Sequence, residues 1–259
     1  MKLATWLRRR RIEGRLRTIA VTVRAGATRF DYPKLIPQPP GSRVLVLSPH
    51  PDDDAIGAGG TLVKLKGAGA RVTSLVLTDG GAGVPERPRA EVVETRRREE
   101  EAAARRLGID RVIFWTEPDG GLRATPANAE RLRGVLDEIR PDAVFLPSFL
   151  DAHPDHAAVT PLLARAVGEA PASFTCVVYE SWTPVVPNVI VDVSAEMETK
   201  LAAVREHRSQ VARVAYDDLA QALNRWRSGV YSHQVVYAEA FYVDAASEYL
   251  ALWRRVGQA

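Results

Sequence analysis

Residues 43–54 read RVLVLSPHPDDD. Val44 to Leu47 form an unalternating apolar run, the mark of a strand covered on both faces. The chain then turns through Pro49 and Pro51 into three consecutive carboxylates, and a helical pattern follows from Ile56 to Lys66. Strand, polar turn and helix make half of a βαβ unit, and the chain repeats the arrangement. Arg71–Leu77 predicts a second strand, with the loop Thr78-Asp79-Gly80-Gly81-Ala82-Gly83 at its carboxyl end. A charged helix from Pro88 to Leu107 is stopped by Gly108. Further strands are predicted at Arg111–Trp115 and Ala143–Pro147, and further helices at Pro126–Arg140 and His153–Val167. Strand-like runs at 174–179, 189–193 and 235–242, with a helix near 217–228, complete the pattern. The reading is an α/β fold, a Rossmann-like three-layer α/β/α architecture with a mostly parallel sheet.

In such sheets ligands bind beyond the carboxyl ends of the strands. The polar clusters fall there: His50 to Asp54 after the first strand, Asp79 after the second, Asp119 after the third, His153 to His156 after the fourth. A histidine and a carboxylate three residues apart in a turn stiffened by Pro51 can reach one ion. His153-Pro154-Asp155-His156 repeats the donor types. Two histidines and one carboxylate make a three-ligand site with an open position, the catalytic pattern for zinc. Taken singly, helix capping accounts for Asp52 to Asp54, and ordinary helix-start polarity for His153 and His156. Their coincidence at adjacent strand ends argues for a site.

The 259 residues are 46% hydrophobic, enough for one large domain over residues 41–259. Cys176 is the single cysteine, which excludes a disulfide framework and a cysteine zinc site, and a reducing, cytoplasmic setting fits. No apolar run reaches the roughly 18 residues of a spanning helix. Residues 1–40 carry ten Lys or Arg against Glu13 and Asp31, so the basic charge sits in an arm and the remainder is mildly acidic. A nucleic-acid-binding domain would spread basic charge over its own working face, so no nucleic-acid partner is expected. Leu3, Trp6, Leu7, Leu16, Ile19 and Val23 recur among arginines without a signal-peptide core. They predict a basic amphipathic helix within residues 1–30, suited to peripheral contact with the inner face of a membrane. Packing on the domain and a solvated arm are the alternative readings. Residues 31–40, with four prolines, read as an extended linker.

Gly57-Ala58-Gly59-Gly60 lacks the third glycine of a dinucleotide loop, where Leu62 stands, so these glycines are read as allowing close helix–sheet packing. His207 and His233 are read as structural or surface residues. Trp182 is read either as a sugar-stacking ring or as core.

The His50-Pro-Asp-Asp53 and His153-Pro-Asp-His156 segments, Thr78-Asp79-Gly80 and Arg96-x-x-Glu99 before Leu107-Gly108 resemble the PIG-L/LmbE-like deacetylase family. The resemblance spans residues 43 to 242, and Lys200 to Gln210 and Ala238-Glu239-Ala240-Phe241 match it more weakly. It implies an LmbE-like fold and a Zn2+-dependent N-deacetylase that releases acetate from an N-acetylated amino sugar of the N-acetylglucosamine type. By position it implies His50, Asp53 and His156 as zinc ligands and Asp52 as general base. It implies a protonated His153 beside the oxyanion and leaving amine, oriented by Asp155, and Arg96 and Asp119 as contacts to sugar hydroxyls. Asp54 departs from the family's usual Glu, and Asp151 stands where some relatives carry tyrosine. Nitrogen and oxygen donors also accept Fe2+, Co2+ or Ni2+. Two other activities fit the same residues: an amidase acting on a larger sugar-linked amide such as a mycothiol-type conjugate, and a non-catalytic sugar-binding protein.

Overall fold

The computed structural model describes residues 32–169 and 172–256; the basic arm, and with it the expected membrane-binding helix, lies outside the described residues. The strands are β1 Lys34–Ile36, β2 Arg43–Ser48, β3 Arg71–Thr78, β4 Arg111–Glu117, β5 Ala143–Pro147, β6 Thr175–Tyr179, β7 Val189–Asp192 and β8 Ala238–Ala245. The helices are α1 Asp53–Gly67, α2 Arg89–Leu107, α3 Pro126–Ile139, α4 Pro154–Val167, α5 Met197–Val204, α6 Arg208–Val211, α7 Tyr216–Tyr231 and α8 Ala246–Val256. No described helix is long and apolar enough to cross a membrane.

The strands form one sheet in the order β1-β7-β8-β6-β5-β2-β3-β4, and β8 alone runs against its neighbours. The predicted three-layer, mostly parallel architecture is therefore the one observed. The unalternating strands divide their side chains between two cores. Leu45, Leu47, Leu75, Leu77, Val144 and Leu146 pack with α3, α4 and α8. Val44, Val46, Val72 and Phe145 pack beneath α1. Side chains alternate faces along a strand, so an all-apolar run requires this double covering.

From β2 the chain winds outward through β3 to β4; it then returns to place β5 on the other side of β2. The order reverses between β2 and β5, which opens a crevice at their carboxyl ends. α1 and α4 start at that crevice. Gly57 and Gly60 let α1 lie close to the sheet: a Cβ on Gly60 would sit 2.7 Å from Val193 Cβ, and one on Gly57 would run into the Tyr179 ring. Gly108 ends α2 in the left-handed conformation at φ 74°, as its position predicts.

The sequence reading differs from the structure in three places. Residues 34–36, expected as linker, form an edge strand parallel to β7. The segment between Pro33 and Pro37 is already extended, and an edge position needs ladder bonds on one side only. The last strand begins at Ala238 rather than residue 235, because the N–H groups of Val236 and Tyr237 donate to Ser194 Oγ. The helices at 197–204, 208–211 and 246–256 were not foreseen.

Two weakly matching segments are joined by buried polar bonds. Lys200 Nζ lies 2.7 Å from Glu239 Oε1 and donates to Asn224 Oδ1 at 2.9 Å. The Glu239 carboxylate also accepts the N–H groups of Gly60 and Thr61, fixing the middle of α1 to β8. Glu99 accepts both the N–H and the hydroxyl of Ser209 and so ties α2 to α6.

Candidate metal centre and active site

The turn after β2 and the start of α4 meet at the crevice. His50 Nδ1 lies 3.2 Å from Asp53 Oδ2 and 3.2 Å from His156 Nε2, and His156 Nε2 lies 3.2 Å from Asp53 Oδ2. Tetrahedral ligands at about 2.0–2.1 Å from zinc stand roughly 3.3 Å apart, so this triangle suits one ion. The donor chemistry fits as well. Two ring nitrogens and a carboxylate oxygen turned toward one point leave at least one repulsive contact, donor on donor or lone pair on lone pair, in any protonation state without a cation between them. All three residues are buried. His50, His153 and His156 also bring ring nitrogens within 4.8 Å of one another.

Supporting groups orient these donors. Ser181 Oγ donates to the other Asp53 oxygen at 2.7 Å. Asp151 Oδ2 lies 3.5 Å from His156 Nδ1, which has no hydrogen-bond partner of its own. His50 Nε2 lies 3.1 Å from Asp155 Oδ2 and 3.4 Å from Asp119 Oδ1. A carboxylate behind a ligating imidazole fixes its tautomer and raises its basicity. Burial opposes charge on His50, but Asp119, Asp155 and Asp53 outweigh it and hold its pKa well above the ordinary value. His156 is raised to about 9 against burial by Asp53 and Asp151. Asp53, also against burial, is held well below the carboxylate range by His156 and His50.

Asp52 stands apart from its neighbours in the turn. Its backbone has φ 133°, a conformation that side-chain-bearing residues rarely adopt and that costs about 1–3 kcal/mol. Its side chain makes no capping bond to α1, which sets aside the helix-capping reading for this carboxylate. It accepts instead from Arg96 at 2.9 Å. Burial pushes its pKa up to about 7, with Arg96 pulling the other way.

Four expected roles meet a different geometry. Asp155 does not orient His153: its carboxylate accepts the N–H groups of Gly120 and Leu122 and faces His50. The backbone N–H of Asp155 is what donates to His153 Nδ1, at 3.2 Å, so His153 caps α4. That bond needs an unprotonated Nδ1. Burial, together with His50 and His156, also lowers the His153 pKa, which works against the expected imidazolium. Arg96, expected against sugar hydroxyls, donates from its two terminal nitrogens to Pro51 O, Gly80 O and Asp52. Asp119 accepts from Ala82 N–H and lies beside His50, and is lowered to about 2 against burial chiefly by His50. Both nonetheless line a polar cavity of about 290 Å3, together with Ala82, Gly83, His153 and Gln210.

Asp79 anchors the loop after β3 by accepting from Arg89, Gly81 N–H and Asp119 N–H. Asp54 reaches Ser74 Oγ at 2.6 Å behind the site, so its shorter side chain still finds a partner there. His207 is buried and His233 exposed, as read. Trp182 is 59% exposed, its ring 5.7 Å from that of His153, which rules out the core alternative. Tyr216 and Gln210 line the cavity without having been singled out as site residues. Ser181 and Trp182 follow β6 after Glu180, at the same sheet edge as the clusters, and that position was the signal available for them.

A buried triad of nitrogen and oxygen donors with an adjacent carboxylate, set at the switch point of a parallel sheet, has the donor set that a catalytic metal site uses. The chain belongs to the PIG-L family, whose model, described as GlcNAc-PI de-N-acetylase, matches residues 45–167. The diacetylchitobiose deacetylase of Thermococcus kodakarensis is 34% identical over 188 residues, covering 65% of this chain and 70% of that protein. The 1D-myo-inositol 2-acetamido-2-deoxy-α-D-glucopyranoside deacetylase of a Mycobacterium species (strain KMS) is 28% identical, covering 67% and 75%. The solved N,N′-diacetylchitobiose deacetylase of Pyrococcus horikoshii superposes with a TM-score of 0.71 at 28% identity, covering 81% of this chain and 86% of that one. The protein is accordingly an enzyme of the deacetylase class.

Proposed function

We propose that the protein is a zinc-dependent N-deacetylase that hydrolyses the acetamide of an N-acetylglucosamine-type sugar to the free amine and acetate. The observation that carries the reading is the 3.2 Å triangle of His50, Asp53 and His156 with Asp52 beside it. The N-acetylated sugars in the relatives' names supply the substrate class.

A metal held by the triad would supply Lewis acidity, polarising the carbonyl and acidifying water at the open position. The remaining work falls to the chain. Asp52 is held by Arg96 at the edge of the triad and, with its raised pKa, takes the proton of the attacking water. The water oxygen bonds to the carbonyl carbon, and negative charge moves to the carbonyl oxygen. His153 keeps Nδ1 as acceptor toward α4 and presents Nε2–H, a donor for that charge. Asp52 then passes its proton to the nitrogen as the C–N bond breaks. This assignment gives the leaving-group proton to Asp52 rather than to a cationic His153.

The test pairs metal analysis of the purified protein with acetate release from N-acetylglucosamine, diacetylchitobiose and N-acetylglucosaminyl-inositol. About one zinc per chain and acetate release from at least one sugar are expected. Zinc-loaded, folded protein that frees no acetate from any of the three would refute the reading.

A further inference from the structure

A second cavity, of about 320 Å3, adjoins the polar one and reaches the same reacting groups, since Asp52 lines both and Asp53 lines this one. Its character is opposite. Ile56, Trp182, Val214, Leu219, Ala220 and Leu223 form the wall, and Trp182, Val214 and Leu219 are exposed. Most of the polar side chains around it are already engaged, the exceptions being the Tyr216 hydroxyl, which the two cavities share, and the Asn224 amide nitrogen. Glu180 is paired with Arg227 and accepts Val185 N–H, Asn224 Oδ1 accepts from Lys200, and Ser181 Oγ donates to Asp53. A sugar placed there would lose its water hydrogen bonds and find few replacements, at a cost for every hydroxyl. A hydrocarbon would lose nothing and gain burial.

An amide has two arms, and the two cavities meet at Asp52, Trp182 and Tyr216. The amine arm, a polyol, suits the polar cavity. The acyl arm is left for the apolar one. An acetyl methyl, comparable in bulk to the roughly 30 Å3 share of one water, would leave most of that cavity wet. We infer that the apolar cavity is an acyl-chain subsite and that the enzyme hydrolyses N-acyl amino sugars with chains longer than acetyl. The inference rests on the hydrolase reading above and extends its substrate class. The chemistry is unchanged: the C–N bond breaks, the water oxygen stays on the fatty carboxylate, and the proton goes to the amine.

The experiment compares kcat/KM of the zinc-loaded full chain on N-acetyl-, N-butanoyl-, N-hexanoyl- and N-octanoylglucosamine, with octyl N-acetylglucosaminide carrying its alkyl group on the other arm. A buried methylene favours binding about fourfold, so kcat/KM is expected to rise at least tenfold from acetyl to hexanoyl. Leu223→Trp should lower the hexanoyl-to-acetyl ratio at least tenfold, and Leu219→Trp serves if that variant does not fold. Calorimetry on metal-stripped protein, where turnover is off, should show N-hexanoylglucosamine binding at least tenfold tighter than N-acetylglucosamine. Acetyl cleaved as well as or better than hexanoyl overturns the acyl subsite and leaves the deacetylase reading standing. A gain confined to the octyl glycoside overturns it too, placing the apolar arm on the aglycone. If none of these is cleaved while diacetylchitobiose or N-acetylglucosaminyl-inositol is, the acyl subsite falls alone; if those fail as well, both readings fall.

Discussion

Two clusters of buried charge touch α1, one at its first turn and one against its middle, and they follow opposite rules. In the cluster of Lys200, Glu239 and Asn224, donors face acceptors: the ammonium meets a carboxylate and an amide oxygen, and the carboxylate takes two backbone N–H groups. At the first turn, His50, Asp53 and His156 turn acceptor-capable atoms toward one another, and Asp52 is held in a strained backbone. The first cluster is closed and can only hold the fold together. The second is open toward the cavity and offers its donors to an ion. Burial and charge alone therefore do not mark an active site. Donor–acceptor mismatch, strain and a pKa displaced toward neutrality do.

The sharpest way to break this contrast is to remove the proton carrier from the open cluster. Asp52→Asn keeps an oxygen for Arg96 and leaves the triad untouched. It should lower kcat about 10^3-fold, or about 4 kcal/mol, with zinc content and melting temperature close to wild type. A fall of less than tenfold would show that Asp52 is not the base. In the closed cluster the same kind of change should act on stability instead. Lys200→Met leaves Glu239 buried without its cation, which costs about 3–5 kcal/mol and lowers the melting temperature by roughly 10 °C. The fraction that remains folded should deacetylate at nearly the wild-type rate. A shift under about 2 °C in a melting scan would refute the structural assignment.

The contrast also explains what could be read in the residues beforehand. Val44 to Leu47 and Ala143 to Pro147 announce doubly covered strands because their periodicity is local, and with them comes the switch point where the histidines lie. His50, Asp53 and His156 were legible as donors because few other residue types serve. Their partners were not. Whether Asp155 serves His153, two residues away, or His50, 105 residues away, is settled by how α4 meets the turn after β2, and sequence neighbourhood favours the wrong answer. The bonds of Arg96 were not legible either, since a motif arginine carries no sign of whether its donors face a cavity or Pro51, Gly80 and Asp52. The edge strand at 34–36 was hidden by flanking prolines, and the apolar cavity by its origin in four places far apart in sequence, 52–57, 180–182, 214–224 and Ala240.

The smallest of the predicted effects lies behind the open cluster, at His207. Neither of its ring nitrogens has a hydrogen-bond partner among the described residues, and the nearest carboxyl, that of Glu100, is 3.8 Å away and faces Asp54. Burial, assisted by Arg96, lowers the His207 pKa to about 3, so the folded protein keeps this imidazole neutral. In the unfolded chain it takes a proton near pH 6.5. The unfolded state thus binds more protons between pH 6.5 and about 3. The stability attached to His207 is full above that window and is lost as pH falls through it, by up to about 1.4 kcal/mol per unit. Glu100 works in the opposite direction above its ordinary pKa, because burial, followed by Asp54, raises it in the folded state. The wild-type curve therefore mixes the two, and the difference from His207→Leu separates them. In urea titrations that difference should move by roughly 2 kcal/mol between pH 6.5 and 5, with the wild type losing ground. A difference constant to within about 0.5 kcal/mol would mean that His207 is protonated or solvated in the fold, and that the polar layer behind Arg96 is as well satisfied as the one around Lys200.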